Sequence, residues 1–105
     1  MLKTLIVLLV MVVLPVTVQA GKVPEKRYTL KWKEKNQRIV HRSVCYTYAE
    51  GSIPYRGCRV QAKRHFTERC RFFRAKYDKI KAPYNRPYRK KRDKFCYSAD
   101  AFFPL

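Results

Sequence analysis

Four cysteines, Cys45, Cys58, Cys70 and Cys96, in a chain of 105 residues set the first limit on what can fold here. A domain this small buries only about 60 % of the surface its unfolded chain exposes, so covalent staples are expected to supplement its core. Two disulfides closing loops of 13 to 26 residues would contribute on the order of 3 kcal/mol each. Cys45 and Cys58 lie symmetrically about a turn at Glu50 to Ile53. That symmetry favours a bridge between them and leaves Cys70 for Cys96, although four cysteines allow three connectivities and spacing alone does not choose among them. The competing use of thiols is zinc. Intervening stretches of 12, 11 and 25 residues lack the close ligand pairs of a structural zinc site, so the sequence predicts no metal, with His41 and His65 included, and no cofactor.

The N-terminus supplies the oxidising compartment that disulfides need. Lys3 is a positive lead, Leu5 to Leu14 an apolar run, Pro15 a helix breaker, and Val18-Gln19-Ala20 a small-x-small cleavage site ahead of Gly21. Residues 1–20 therefore read as a signal peptide, and residues 21–105 as one mature, disulfide-stabilised basic domain that is secreted and extracellular. A membrane anchor needs about 18 to 20 apolar residues, and Pro15, Thr17 and Gln19 end this run short of that.

Charge narrows the partner. The formal net charge is +18, and Lys3 is the one charged residue before Gly21, so the mature chain carries +17. Solubility of a small domain asks for a magnitude of roughly 2 to 8, and the excess opposes compaction by self-repulsion. It points to an anionic partner: a membrane, an acidic channel or receptor surface, or a sulfated glycan. Intracellular nucleic acid is excluded by compartment. Eight Tyr, six Phe and one Trp separate this chain from a disordered basic tail, which would be poor in aromatics.

Along the mature chain, Tyr28, Leu30 and Trp32 alternate with Thr29, Lys31 and Lys33, the period-2 pattern of a half-buried strand. Glu34 to Gln37 reads as a turn. A second strand is expected over Arg38 to Ala49, with Val40, Val44, Tyr46 and Tyr48 on one parity, and a third from Tyr55, with Cys58, Val60, Ala62 and Phe66 on one parity. From Thr67 to Lys81 the period changes: Phe66, Cys70, Phe73, Tyr77 and Ile80 recur at four- and three-residue steps, the stripe of an amphipathic helix with Thr67 as N-cap. A rival start near Arg59 is compatible with Val60 and Ala62. Pro83-Tyr84 and Pro87-Tyr88 suggest an extended, polyproline-like path through Ala82 to Arg92. The expected fold is thus a small disulfide-rich α+β domain: a three-stranded antiparallel meander, one amphipathic helix and an extended basic C-terminal segment.

The densest partner signal is the stretch Arg86, Arg89, Lys90, Lys91, Arg92 and Lys94. Clustered guanidinium and ammonium groups bind sulfate or phosphate by charge-assisted hydrogen bonds and counterion release, so these six form the expected polyanion-binding site. Arg89 to Arg92 also resembles a furin-type processing site, after which the Cys96 segment would stay attached through its disulfide. Only His41 and His65 are suited to titrate near neutrality, and acidic residues are scattered singly, so no catalytic residue is assigned and the chain is expected not to be an enzyme. The layout resembles secreted venom and host-defence polypeptides. The expected function is a secreted, basic, disulfide-stapled effector that binds an anionic membrane, channel or receptor surface. The alternative is an extracellular matrix component of mineralised or cross-linked tissue, or a glycosaminoglycan-binding protein.

Overall fold

The computed structural model describes residues 26–105, and the expected signal peptide lies outside the described residues. Two antiparallel helices dominate it: α1, Ile53–Lys79, and α2, Arg86–Ala101. Ahead of them come an extended segment, a minimal hairpin of β1, Glu34–Lys35, and β2, Arg38–Ile39, and a 3-10 turn at His41–Ser43. The fold is therefore α-dominant, and the three-stranded meander is overturned.

Each departure from the expected strands has a local cause. The period-2 alternation of the first segment is present as burial, with Tyr28, Leu30 and Trp32 turned inward and Thr29, Lys31 and Lys33 exposed. Its N–H groups at Tyr28, Thr29 and Lys33, however, bond side chains, and two of its carbonyls accept from isolated backbone donors, Lys31 from Cys45 N–H at 2.7 Å and Lys33 from Val40 N–H at 2.8 Å, so no strand ladder forms over Tyr28 to Lys33. Tyr28 N–H donates to the Gln61 amide oxygen at 3.1 Å, the Gln61 amide nitrogen donates back to the Lys26 carbonyl, Thr29 N–H donates to the Tyr48 hydroxyl at 3.0 Å, and Lys33 N–H to Ser43 Oγ at 2.7 Å. Asn36 and Gln37 both take positive φ, 53° and 64°, to make the two-residue connection that sets Glu34 opposite Ile39. This fits the primed turns that match strand twist.

The second expected strand ends after Ile39. Val44 and Cys45 are adjacent and both fully buried, which no flat strand with one wet face permits, and Cys45 has φ 68°. The third is the first half of α1. Ser52 caps it by accepting from Tyr55 N–H at 3.2 Å, and Pro54 occupies the first turn, where its missing N–H is harmless. Cys58, Ala62 and Phe66 share a parity because they are four residues apart, so a helical stripe imitated a strand. Val60 settles it: at 46 % exposure it lies on the opposite face. Thr67, expected as N-cap, sits mid-helix and donates its hydroxyl to the Lys63 carbonyl at 3.0 Å, the back-bonding open to a helical threonine. The expected extended C-terminal segment is α2, with Pro87 again in the first turn.

Rings fill the space between the helices and the N-terminal segment. Phe66 and Phe102 are fully buried, with Trp32 edge-on to Phe66 at 5.3 Å, Phe102 edge-on to it at 5.4 Å, and Phe73 stacked on Phe95 at 5.7 Å. Edge-to-face and offset pairs of this kind add about 0.5–1.5 kcal/mol each beyond area burial. At Gly57 a Cβ would sit 2.7 Å from the Tyr28 ring. The missing side chain leaves room for the tip of the Tyr28 ring against α1.

The disulfides join Cys45 to Cys58 and Cys70 to Cys96, with Cα separations of 6.0 and 4.6 Å. This is the pairing that symmetry favoured, reached by different geometry. Cys45–Cys58 ties an irregular loop to the first turns of α1, not one strand of a hairpin to the other. Cys70–Cys96 clamps α1 to α2. Among the described residues, no helix is long and apolar enough to cross a membrane.

Candidate polyanion-binding surface

The hairpin brings the end of α1 beside the start of α2, and with it two stretches of basic sequence. Between Lys76 and Lys94 there are nine Lys or Arg and two acidic residues, Asp78 and Asp93. At the end of α1, Lys76 and Lys79 complement the helix macrodipole. At the start of α2 the charges oppose it: the first turn holds no acid, and the Asn85 side chain makes no capping hydrogen bond. Cations gathered at that positive end repel one another and the dipole alike, so this end of the molecule is electrostatically unsatisfied.

The six residues singled out from sequence separate into two groups of three. Arg86, Arg89 and Lys90 face outward and, with Asp93, border an open concavity of about 470 Å³. Lys91, Arg92 and Lys94 turn toward the body. The Lys91 ammonium lies 5.5 Å from the Phe73 ring centre, and the Arg92 guanidinium lies 4.2 Å from that of Tyr77 while pairing with Asp93 at 2.9 Å. Lys94 reaches Glu34 of β1 at 2.7 Å and sits over Phe95 at 4.7 Å. These three screen the thin end of the ring core, and their donors are partly committed.

Lys76, Lys79 and Lys81 belong to the same end of the molecule, beyond the six residues expected at the polyanion-binding site. The signal was available in the cysteines, since a Cys70–Cys96 bridge between two helices folds the chain back and sets these lysines beside Arg86. Phe72 adds an exposed ring there, 45 % accessible and flanked by Arg69 at 4.8 Å and Lys76 at 5.7 Å. Arg89 to Arg92, the expected processing site, lies within α2.

The histidines are placed apart, on different rings. His41 is in the 3-10 turn, stacked on Tyr97 and sharing a 2.9 Å hydrogen bond between its Nε2 and the fully buried Ser98 hydroxyl. Burial holds its pKa below the ordinary value, and the Arg59 and Lys63 charges push the same way. His65 lies on α1 against Trp32 and Phe95. Burial lowers its pKa, Arg69 adds to that, and Glu68 opposes it. Both are half-buried packing residues. Among the described residues, no three His, Cys, Asp or Glu side chains gather as metal ligands would.

No family model matches the chain, and no curated protein or solved structure matches it either. The functional reading accordingly rests on the geometry of its own surface.

Proposed function

We propose that this chain is a secreted binding protein, an effector of the toxin-like or host-defence kind, that engages an anionic surface through the loop end of its helical hairpin. The observation that supports it is the imbalance between Lys76 and Lys94, nine basic residues against two acidic ones, on an end of the hairpin where no residue from Arg74 to Lys94 is buried. Arg86, Arg89 and Lys90 supply the contact, because they are exposed and their charges are not folded over rings. The Cys70–Cys96 disulfide holds the two helices in register, so the cations are presented together and little ordering entropy is lost on binding. Phe72 offers a ring between two cations, a surface that suits the polar–apolar boundary of a lipid headgroup layer.

The test is binding of the oxidised protein to immobilised heparin and to anionic or zwitterionic vesicles across a salt series. Affinity for heparin should fall linearly with salt on logarithmic axes, as counterion release requires. Replacing Arg86, Arg89 and Lys90 by Ala should weaken binding more than replacing Arg27, Lys31 and Lys35, exposed cations of the segment ahead of α1. Equal losses would show that the basic surface acts diffusely. Absence of binding to every anionic surface at low salt would refute the reading.

A further inference from the structure

At the other end of α1, a cleft of about 500 Å³ opens between the N-terminal loop and the C-terminal segment, lined by Arg42, Glu50, Tyr55, Arg56, Arg59 and Pro104. That volume lies within the range of small-molecule sites. From Arg56 to Lys79 the helix rises about 35 Å at 1.5 Å per residue, so this cleft is remote from the loop end.

Arg59 is the unusual member. It is 8 % exposed, and four of its N–H groups donate to backbone carbonyls: Nε to Pro104 at 3.1 Å, Nη1 to His41 at 3.1 Å and Val44 at 3.2 Å, and Nη2 to Phe103 at 3.2 Å. Neutral carbonyls satisfy its donors without cancelling its charge. Buried charges are ordinarily paired with an opposite charge, and among the described residues Arg59 has no carboxylate partner. Its field therefore persists into the cleft, where low-dielectric walls weaken it less than water would. Arg42 and Arg56, both exposed, also lack an ion-pair or side-chain hydrogen-bond partner among the described residues. Three guanidiniums thus border one cleft against two carboxylates, the side chain of Glu50 and the main-chain carboxylate of Leu105, which also lines it.

We infer that this cleft binds a small oxyanion ester, a sulfate or phosphate monoester carried on a compact apolar group. The planar forks of Arg42 and Arg56 match a tetrahedral oxyanion through paired N–H donors. Arg59 acts as a fixed, pre-ordered charge behind them, with one N–H of its five uncommitted. Tyr55 and Pro104 form apolar walls for the ester's organic part. The site is independent of the loop-end reading, because it shares no residue with it.

Phenyl sulfate is the probe, titrated into the oxidised protein at fixed ionic strength by calorimetry and by amide chemical shifts. Binding should saturate at one site, with the largest shifts in residues 41–59 and 103–105. Arg42→Ala combined with Arg56→Ala should weaken it about tenfold or more, as loss of charge-assisted hydrogen bonds predicts. Both residues are exposed, so an unchanged melting temperature will show that the fold survives. Glu50→Gln should tighten binding about threefold by removing one of the two like charges, a gain that a merely structural role would not produce. Inorganic sulfate should bind more weakly, and benzyl alcohol should not compete. The inference fails if the Arg42/Arg56 variant binds as well as the native chain, if benzyl alcohol competes equally, or if Ala at Arg86, Arg89 and Lys90 weakens phenyl sulfate as much as the cleft variant does.

Discussion

The two ends of the helical hairpin use the same residue type in opposite ways. At the stapled end Arg59 is internal, and its guanidinium ties the carbonyls of His41, Val44, Phe103 and Pro104 together, where a larger protein would have a sheet. At the loop end Arg86, Arg89 and Lys90 hold nothing together, while Lys91, Arg92 and Lys94 lie across Phe73, Tyr77 and Phe95. The difference teaches how a chain of this charge folds at all. Cations that can reach carbonyls or ring faces become packing material, and those that cannot stay exposed, densely at the loop end and as Arg42 and Arg56 at the cleft.

The sharpest way to break the comparison is to cut the staples. Removing both bridges withdraws on the order of 6 kcal/mol by loop-closure arithmetic for separations of 13 and 26 residues, against a total stability of about 5–15 kcal/mol for an ordinary domain. Reduction should therefore abolish cooperative melting in calorimetry. A reduced protein with a sharp transition near the native temperature would mean that the ring core suffices. Removed singly, the two bridges should differ in kind. Loss of Cys45–Cys58 should free the N-terminal loop with the helices still paired, seen as amide exchange confined to residues 26–52. Loss of Cys70–Cys96 should loosen the helix pair itself.

Next in size is Arg59. Arg59→Met keeps the apolar stem but leaves four carbonyls without their donor, and the expected loss is about 3 kcal/mol. For a domain of this length that lowers the melting temperature by roughly 15 °C. A loss below about 1 kcal/mol would show that water replaces the guanidinium freely and that the stapled end is held by its disulfide alone.

Much of this contrast was hidden in the sequence because two periods can share residues. Tyr28, Leu30 and Trp32 announced an extended segment correctly, yet nothing local says that Gln61, Tyr48 and Ser43 side chains would take the place of a neighbouring strand. Cys58, Ala62 and Phe66 fit a period of two only because four is its multiple, and the exposed side of Val60 is a tertiary fact. The stripe from Phe66 to Tyr77 was legible because its three- and four-residue steps have no strand interpretation. Pro87 was read as a mark of extended chain, although a proline is equally at home in a first helical turn. At the candidate site the charge density was visible and its division was not. Which cations face rings depends on where α2 lies against Phe73 and Tyr77.

Acid should separate the ends more gently. His41 and His65 both have folded pKa values depressed below 6.5, chiefly by burial. The unfolded chain therefore takes up their protons first. Stability should be level above about pH 6.5 and fall as pH drops from there through the depressed folded values, since the unfolded state binds more protons across that window. Melting temperature followed from pH 7.5 to pH 4.5 checks the sign, and His41→Gln with His65→Gln should flatten the profile. A melting temperature that rises on acidification over this window would contradict the packing described for both rings.

The smallest effect on stability is also the one that sharpens the comparison most, because it divides the basic stretch itself. Ala at Lys91, Arg92 and Lys94 removes three cation–ring contacts worth about 0.5–1 kcal/mol each where exposed, and ion pairs worth about 0–1 kcal/mol. Relief of mutual repulsion offsets part of that loss, so the net destabilisation should be about 1 kcal/mol. Ala at Arg86, Arg89 and Lys90 removes no such contact and relieves charge at the unfavourable end of the α2 macrodipole, so the melting temperature should hold or rise slightly. Heparin binding should respond in the reverse order. The outward triple should flatten the logarithmic salt slope by about 2, on the scale of about 0.7 per phosphate released from a single strand, and the inward triple by less. If the two triples exchange these roles, the rings are not what holds Lys91, Arg92 and Lys94. If they lose stability and slope alike, the division within α2 has no energetic meaning and the loop end acts as one undivided charge.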